Sequence, residues 1–243
     1  MIKGSVDSIE SMGLVDGPGI RAVVFLTGCR LRCKYCHNPE SWVKRDDNYT
    51  AEEVLKKVLR FKPYFKRNNG GVTFSGGEPL LQEDFLIEVC KLLKQNNIHI
   101  ALDTAGIGNG KYEEILENVD LILFDVKHVT SDGYKDLTGG ELNEVFDFLS
   151  VANRMRKKFW IRQVIVPGIM DNDEYLEKLN RFIKTHIIAS NIERIEFLPY
   201  HTLGKEKYEK MGLDYPLKDL EEMDKVKCEE LYNKFMDLYN KKN

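Results

Sequence analysis

The stretch Leu121-Ile122-Leu123-Phe124-Asp125-Val126-Lys127 runs through four apolar residues and then, with no turn residue between, an acid and a base. Four branched or aromatic residues without in/out alternation make a strand that is apolar on both faces, which suits a parallel sheet covered by helices. Asp125 and Lys127 lie two apart and share one face of an extended chain. Taken alone they read as a pair that neutralises itself. At the carboxyl end of a parallel strand they also stand where barrel folds build their chemistry.

Five more runs of this kind flank the first, over residues 22–26, 71–74, 98–102, 159–166 and 192–198, and each is followed by a helical pattern. Thr50 and Glu53 form a capping box ahead of Val54, Leu55, Val58 and Leu59, and Asp171 with Glu174 does the same ahead of Tyr175, Leu176, Leu179 and Phe182. Further helices are expected over 83–95, 112–118, 142–157 and 217–238. Six strand–helix units joined by right-handed crossovers predict an α/β fold, a partial (β/α)6 TIM-like barrel of parallel strands, with 1–243 as a single domain. Eight units would need roughly 250 residues without extra segments.

Composition narrows the class. The formal net charge of −3 gives no basic excess for nucleic-acid binding, and no apolar run is long enough to span a membrane. Five cysteines are too few and too uneven for a disulfide framework. The first thirty residues show no apolar signal segment, so a cytoplasmic protein is expected. Cys90 shares a helical stripe with Phe85, Leu86, Val89 and Leu93, and Cys228 lies near the edge of the apolar face of the last helix; both read as structural.

Polar and small residues cluster at the carboxyl ends of the expected strands. The first is followed by Cys29-Arg30-Leu31-Arg32-Cys33-Lys34-Tyr35-Cys36, the second by Ser75-Gly76-Gly77-Glu78-Pro79, and the third by Asp103-Thr104. The fifth carries Arg162, and the sixth leads to Pro199-Tyr200-His201. Each has a bland alternative: a tight turn for the glycines, a buried carboxylate partner for Arg162, a surface histidine for His201, a simple turn for Asp16-Gly17-Pro18-Gly19. Six loops aimed at one rim are harder to dismiss together.

The cysteine loop admits three readings. A zinc site could add His37 to the three cysteines, although Cys36 and His37 are neighbours whose side chains converge poorly on one ion. Cys33-Lys34-Tyr35-Cys36-His37 matches a c-type haem attachment pattern, which belongs outside the cytoplasm. Three thiolates could instead hold three irons of a four-iron cluster and leave the fourth iron open to a small molecule.

Cys-x3-Cys-x2-Cys with Tyr35 before its last cysteine, followed by Gly76-Gly77-Glu78-Pro79 after the next strand, resembles the radical S-adenosylmethionine superfamily. Asp16 to Gly19, Cys36-His37-Asn38, Leu102-Asp103-Thr104, Asp125 to Lys127, Trp160-Ile161-Arg162, Val166-Pro167-Gly168 and Leu198 to His201 with Gly204-Lys205 resemble its glycyl-radical-enzyme activases over nearly the whole chain. The resemblance implies that Cys29, Cys33 and Cys36 bind one 4Fe-4S cluster and supply its electron to S-adenosylmethionine. It places Tyr35, Cys36 and His37 on the adenosyl side, Gly77 at the methionine amino group, Asp125, Val126 and Lys127 at the ribose and carboxylate, and His201 at the nucleoside. Asp103, Thr104 and Asp125 match positions around a monovalent cation, and Asp16 and Arg162 match positions facing the protein substrate and the cavity. The implied reaction is formation of a 5′-deoxyadenosyl radical that takes hydrogen from a backbone glycine of pyruvate formate-lyase. A flavodoxin or ferredoxin-type donor and a monomeric state are implied with it. Relatives with an inserted ferredoxin-like domain need about eight more cysteines, and the shorter ribonucleotide-reductase activases lack the length. A non-catalytic iron–sulfur carrier would want four thiolates and no pocket.

Overall fold

A computed structural model describes residues 2–65 and 69–241. The main sheet contains β2 (Val6–Gly13), β3 (Arg21–Leu26), β5 (Gly71–Gly76), β6 (His99–Thr104), β7 (Leu121–Asp125), β8 (Lys158–Ile165) and β9 (Ile192–Pro199), in the order β2-β3-β5-β6-β7-β8-β9. A separate two-stranded sheet pairs β1 (Lys3–Gly4) with β4 (Tyr49–Thr50). From β3 to β9 every pairing is parallel, and β2 joins β3 antiparallel. The sheet ends at β2 and β9 without closing, which is the expected partial barrel of six parallel strands plus one edge strand.

Periodicity missed that edge strand for a physical reason. β2 pairs on one side only, and Asp7, Glu10 and Ser11 face solvent, so its sequence carries no run of buried residues. The inner strands read clearly because Val72, Phe74, Ile100, Leu102, Ile122, Phe124, Phe159 and Ile161 are all but inaccessible. Each such side chain contributes about 1.5–3 kcal/mol on burial. The intervening residues Ala101, Leu121 and Leu123 pack with Trp160 as a second, smaller core on the opposite face.

The helices are α1 (Ala51–Leu59), α2 (Lys62–Phe65), α3 (Glu83–Gln95), α4 (Tyr112–Leu116), α5 (Ser131–Thr138), α6 (Asn143–Arg154), α7 (Asp173–His186), α8 (Lys205–Lys210) and α9 (Lys225–Asn240). The Thr50–Glu53 capping box forms with both of its hydrogen bonds. Two expectations at helix starts are corrected. Asn172, not Asp171, caps α7 by accepting from the Tyr175 N–H. The Asp171 carboxylate instead accepts from the Gly168 N–H at 2.7 Å and pairs with Lys227. The last helix begins at Lys225 rather than 217, because Asp224 caps it and the Met223 N–H is tied to the Tyr200 carbonyl at 2.9 Å. α5 and α8, short and polar, gave no periodic signal. Cys90 and Cys228 are buried in the core as expected.

Candidate active site

The cysteine loop leaves β3 with a bend at Arg30 and a turn at Lys34–Tyr35. Arg30 and Arg32 are exposed and Lys34 is partly so, while Leu31, Cys33 and Tyr35 between them are buried. Its backbone is fixed from two sides. Arg32 and Lys34 donate to the carbonyls of Thr138 and Leu137 at the end of α5, and Cys29 donates to the Trp42 carbonyl at 3.0 Å. The Cys36 N–H then donates back to the Cys33 carbonyl at 2.9 Å, which closes a turn, and all three cysteines line one cavity. Burial pushes the Cys29 thiol up to about 11 and the Cys33 thiol up to about 12, and raises Cys36 as well.

The glycine segment after β5 is pressed against this loop. Gly76 has φ of 108°, a conformation that favours glycine. A Cβ on Gly77 would collide with the Gly28 carbonyl and lie 3.0 Å from the Ser41 carbonyl oxygen, so the neighbours that exclude it are backbone. The Gly77 N–H already donates to Leu26 at 2.8 Å, which leaves its carbonyl as the group that can meet a ligand. Glu78 is buried and accepts from the Thr104 hydroxyl at 2.6 Å and the Ala105 N–H at 2.9 Å. Burial raises its carboxyl to about 7, despite these donors.

Beside the glycines lies a charge-balanced group of four. Arg162 Nε donates to Asp125 at 2.9 Å and its terminal nitrogen pairs with Asp103. Lys127 donates to the other oxygen of Asp125 at 2.9 Å, and Ser75 donates to Asp103 at 2.6 Å. Burial works against every ionised member, yet Arg162 and Lys127 outweigh it at Asp125 and hold that carboxyl at about 2. At Asp103 burial wins, and its carboxyl is raised. Asp125 holds Lys127 well above the usual amine range against burial. The Lys127 ammonium lies 5.6 Å from the Tyr35 ring centroid, within cation–π range.

On the far wall, His37 and His201 stack at 3.8 Å with their planes 17° apart. Burial, then the neighbouring His201, lowers the His37 imidazole to about 4. Gly204 permits this approach, since a Cβ there would sit 2.8 Å from the Cys36 carbonyl. Lys207 on α8 clamps the same segment to Asn38 and Glu40 at 2.5 Å.

These groups line one cavity of about 570 Å³ at the carboxyl ends of the strands. Cys29, Cys33, Tyr35, Cys36, His37, Gly77, Asp103, Thr104, Asp125, Lys127, Arg162 and His201 all reach it. Val126 does not, because its side chain is buried in the outer core, so it can serve only through its backbone. Asp16 also lies off the cavity wall. Sequence reading missed Trp42, Ser75 and Lys225, which line the cavity too. Ser75 sat within a segment already singled out; Trp42 and Lys225 come from segments without a motif.

The chemistry of the donor set fits an iron–sulfur cluster and a nucleoside cosubstrate. The three thiols are free of disulfides, and their raised proton affinity means that a metal must displace the protons to bind. Among the described residues no three His, Cys, Asp or Glu side chains converge on one ion as a mononuclear zinc would need, whereas a cluster asks each thiolate to hold its own iron. Among the described residues the Tyr35 hydroxyl, His37 Nε2 and His201 Nδ1 are buried without a hydrogen-bond partner, and all three side chains line the cavity, which suits a polar ligand in it.

The sequence profile of the radical SAM superfamily matches residues 23–183. The pyruvate formate-lyase-activating enzyme of Clostridium pasteurianum is 57% identical over 232 residues, spanning 95% of this chain and 96% of the relative. That of Staphylococcus epidermidis is 42% identical over 241 residues, with 96% and 95% covered. Among solved structures, a domain of the pyruvate-formate lyase-activating enzyme from Bacteroides vulgatus superposes with a TM-score of 0.55 at 23% identity, over 69% of this chain and 94% of that one. A radical SAM methyltransferase from Sphaerobacter thermophilus shares the fold with a TM-score of 0.64 at 13% identity, over 98% and 75%. Near-complete coverage by relatives of this identity, on a barrel whose three cysteines and glycine segment meet in one cavity, shows that the chain belongs to the radical SAM superfamily and, within it, to the pyruvate formate-lyase-activating enzyme family.

Proposed function

We propose that this chain generates the glycyl radical of pyruvate formate-lyase, with Cys29, Cys33 and Cys36 holding one 4Fe-4S cluster and the rest of the cavity holding S-adenosylmethionine. The observation that carries this reading is the meeting of three free thiols, Cys33 buried and Cys29 and Cys36 half-buried, with a charge-balanced group in one cavity. When bound, the cluster supplies one electron to the sulfonium, giving methionine and a 5′-deoxyadenosyl radical that takes a hydrogen atom from the glycine Cα.

The chain's own residues bind and shield. The Gly77 carbonyl is free to accept from the methionine ammonium, since its N–H is engaged. Lys127 offers a cation to the carboxylate while Asp125 offers an acceptor to the ribose, with the Val126 backbone beside them. Arg162 bonds to Asp103 and Asp125 together, which keeps those oxygens oriented before ligand arrives. Tyr35, Cys36 and His37 border the adenosyl side, and His201 meets the nucleoside with a nitrogen that has no other partner. The buried aromatic and aliphatic walls keep water and stray hydrogen donors away from a reactive radical. A monovalent cation near Asp103, Thr104 and Asp125 would compete with Arg162 and Lys127 for the same oxygens. The reading also takes the protein as cytoplasmic and monomeric, reduced by a flavodoxin or ferredoxin-type donor. No described helix is long and apolar enough to cross a membrane.

The test is electron paramagnetic resonance of the reduced protein mixed with S-adenosylmethionine and pyruvate formate-lyase. A carbon-centred glycyl signal on the partner supports the reading; cleavage of S-adenosylmethionine with no signal on the partner refutes it.

A further inference from the structure

The reaction needs one electron from outside, and the outer face of the cysteine loop shows where it arrives. Arg30, Arg32 and Lys34 project from the side opposite Leu31, Cys33 and Tyr35, and no acidic residue falls between Cys29 and His37. This basic strip stands out on a chain whose formal net charge is −3. Arg30 and Lys34 have acidic neighbours at its margins, Glu144 at 3.3 Å and Asp136 at 2.6 Å. Arg32 has none among the described residues: its guanidinium donates only to the carbonyls of Cys29 and Leu31, at 2.7 and 2.8 Å.

Arg32 also lies over the Trp42 ring, 4.9 Å from its centroid. Trp42 in turn lines the cavity with Cys29 and Cys36, so this residue connects the outer surface with the wall that carries two of the thiols. Next to it Val43 is 66% exposed. An arginine stacked on a tryptophan beside an exposed apolar residue is the composition of a protein-binding hot spot. Electron transfer falls off steeply with distance, so a carrier gains most by docking over the thinnest cover. The alternative approach, through the cavity, is taken by the cosubstrate and the glycine.

We propose that this strip, centred on Arg32 and backed by Trp42, is the docking face for an acidic one-electron carrier protein. The inference rests on the proposed function. The carrier is oxidised by one electron, the metal centre held by Cys29, Cys33 and Cys36 is reduced by one, and no proton or covalent bond changes hands. Complementary charge sets the encounter rate and the affinity, and salt weakens both.

The experiment uses the cluster-loaded protein with an acidic flavodoxin and an acidic 2Fe-2S ferredoxin as probes. Binding is measured by calorimetry at low and moderate salt for the parent, Arg32→Glu and Lys34→Glu, and S-adenosylmethionine cleavage is measured with either carrier or with dithionite. The expected result is an affinity for at least one carrier that falls with salt and drops about tenfold in Arg32→Glu. Lys34→Glu should show a smaller drop, and cleavage driven by dithionite should stay within about twofold of the parent. Affinity unchanged by both charge reversals overturns the proposal, and so does an equal loss of cleavage in the carrier and dithionite arms. Should Arg32→Glu lose iron, Lys34→Glu and the salt series decide. Failure of the proposed function is a separate outcome, seen as a parent that forms no glycyl radical even with dithionite.

Discussion

Replacing Arg162 with Met removes one cation from the group formed by Asp103, Asp125, Lys127 and Arg162. The four side chains carry two negative and two positive charges, and all are at least three-quarters buried. Without Arg162 two carboxylates share Lys127, leaving one uncompensated buried charge. Breaking a buried pair from one side costs about 3–5 kcal/mol. Asp103, already raised by burial, is the group that escapes by taking up a proton. Its folded pKa then stands still further above its unfolded value, so stability is lost as pH rises above the unfolded pKa and regained on acidification. The variant's deficit relative to the parent should therefore shrink between pH 8 and pH 5. Adding Asp103→Asn removes the stranded charge and should recover about 1–2 kcal/mol, a coupling that a double-mutant cycle measures. The assay is urea unfolding followed by circular dichroism, with iron content matched across variants. An Arg162→Met deficit under about 1 kcal/mol, or additive effects of the two substitutions, would refute the reasoning.

Glu78→Gln should flatten the pH dependence of stability. In the parent the folded carboxyl titrates near 7 and the unfolded one near 4.5, so the parent loses about 3 kcal/mol relative to the variant as pH rises through that window; a pH-independent difference in unfolding free energy would contradict this. Gly77→Ala should destabilise by about 1–3 kcal/mol or more, since its Cβ meets backbone that cannot swing aside, and an unchanged melting temperature would show that the loop yields. Replacing any one of Cys29, Cys33 or Cys36 with Ala should abolish S-adenosylmethionine cleavage, and retained cleavage would remove that residue from the ligand set. Cys90→Ser and Cys228→Ser should keep the parental iron content, because both side chains are buried in the core, and lost iron there would mean that the ligand set is wrong.

The four parallel strands β3, β5, β6 and β7 were legible because burial on both faces forces apolar runs, whereas β8 alternates buried with half-buried residues and β9, the other sheet edge, buries only Ile195, so those two showed through their branched and aromatic content. Much of the candidate site's cavity lining was legible because those residues follow the strands directly, as Asp125 and Lys127 follow Leu121 to Phe124. What escaped notice obeys other physics. β2 is an edge with one exposed face, and α5 and α8 are too short and polar for periodicity. Trp42 and Lys225 reach the cavity through tertiary packing, one held by Cys29 and the other by the start of α9. The Asp171 cap failed because a loop N–H and Lys227 compete for the same carboxylate. The stack of His37 on His201 joins residues 164 positions apart, a contact that spacing cannot reveal.

The central claim is that three thiolates hold a four-iron cluster and leave one iron open to S-adenosylmethionine. Electron paramagnetic resonance of the anaerobically purified, reduced protein, before and after that compound is added, tests it most directly. The account predicts about four irons and four sulfides per chain and a cluster signal that changes shape when S-adenosylmethionine binds. A colourless protein, or a cluster whose signal ignores the added compound, would contradict it.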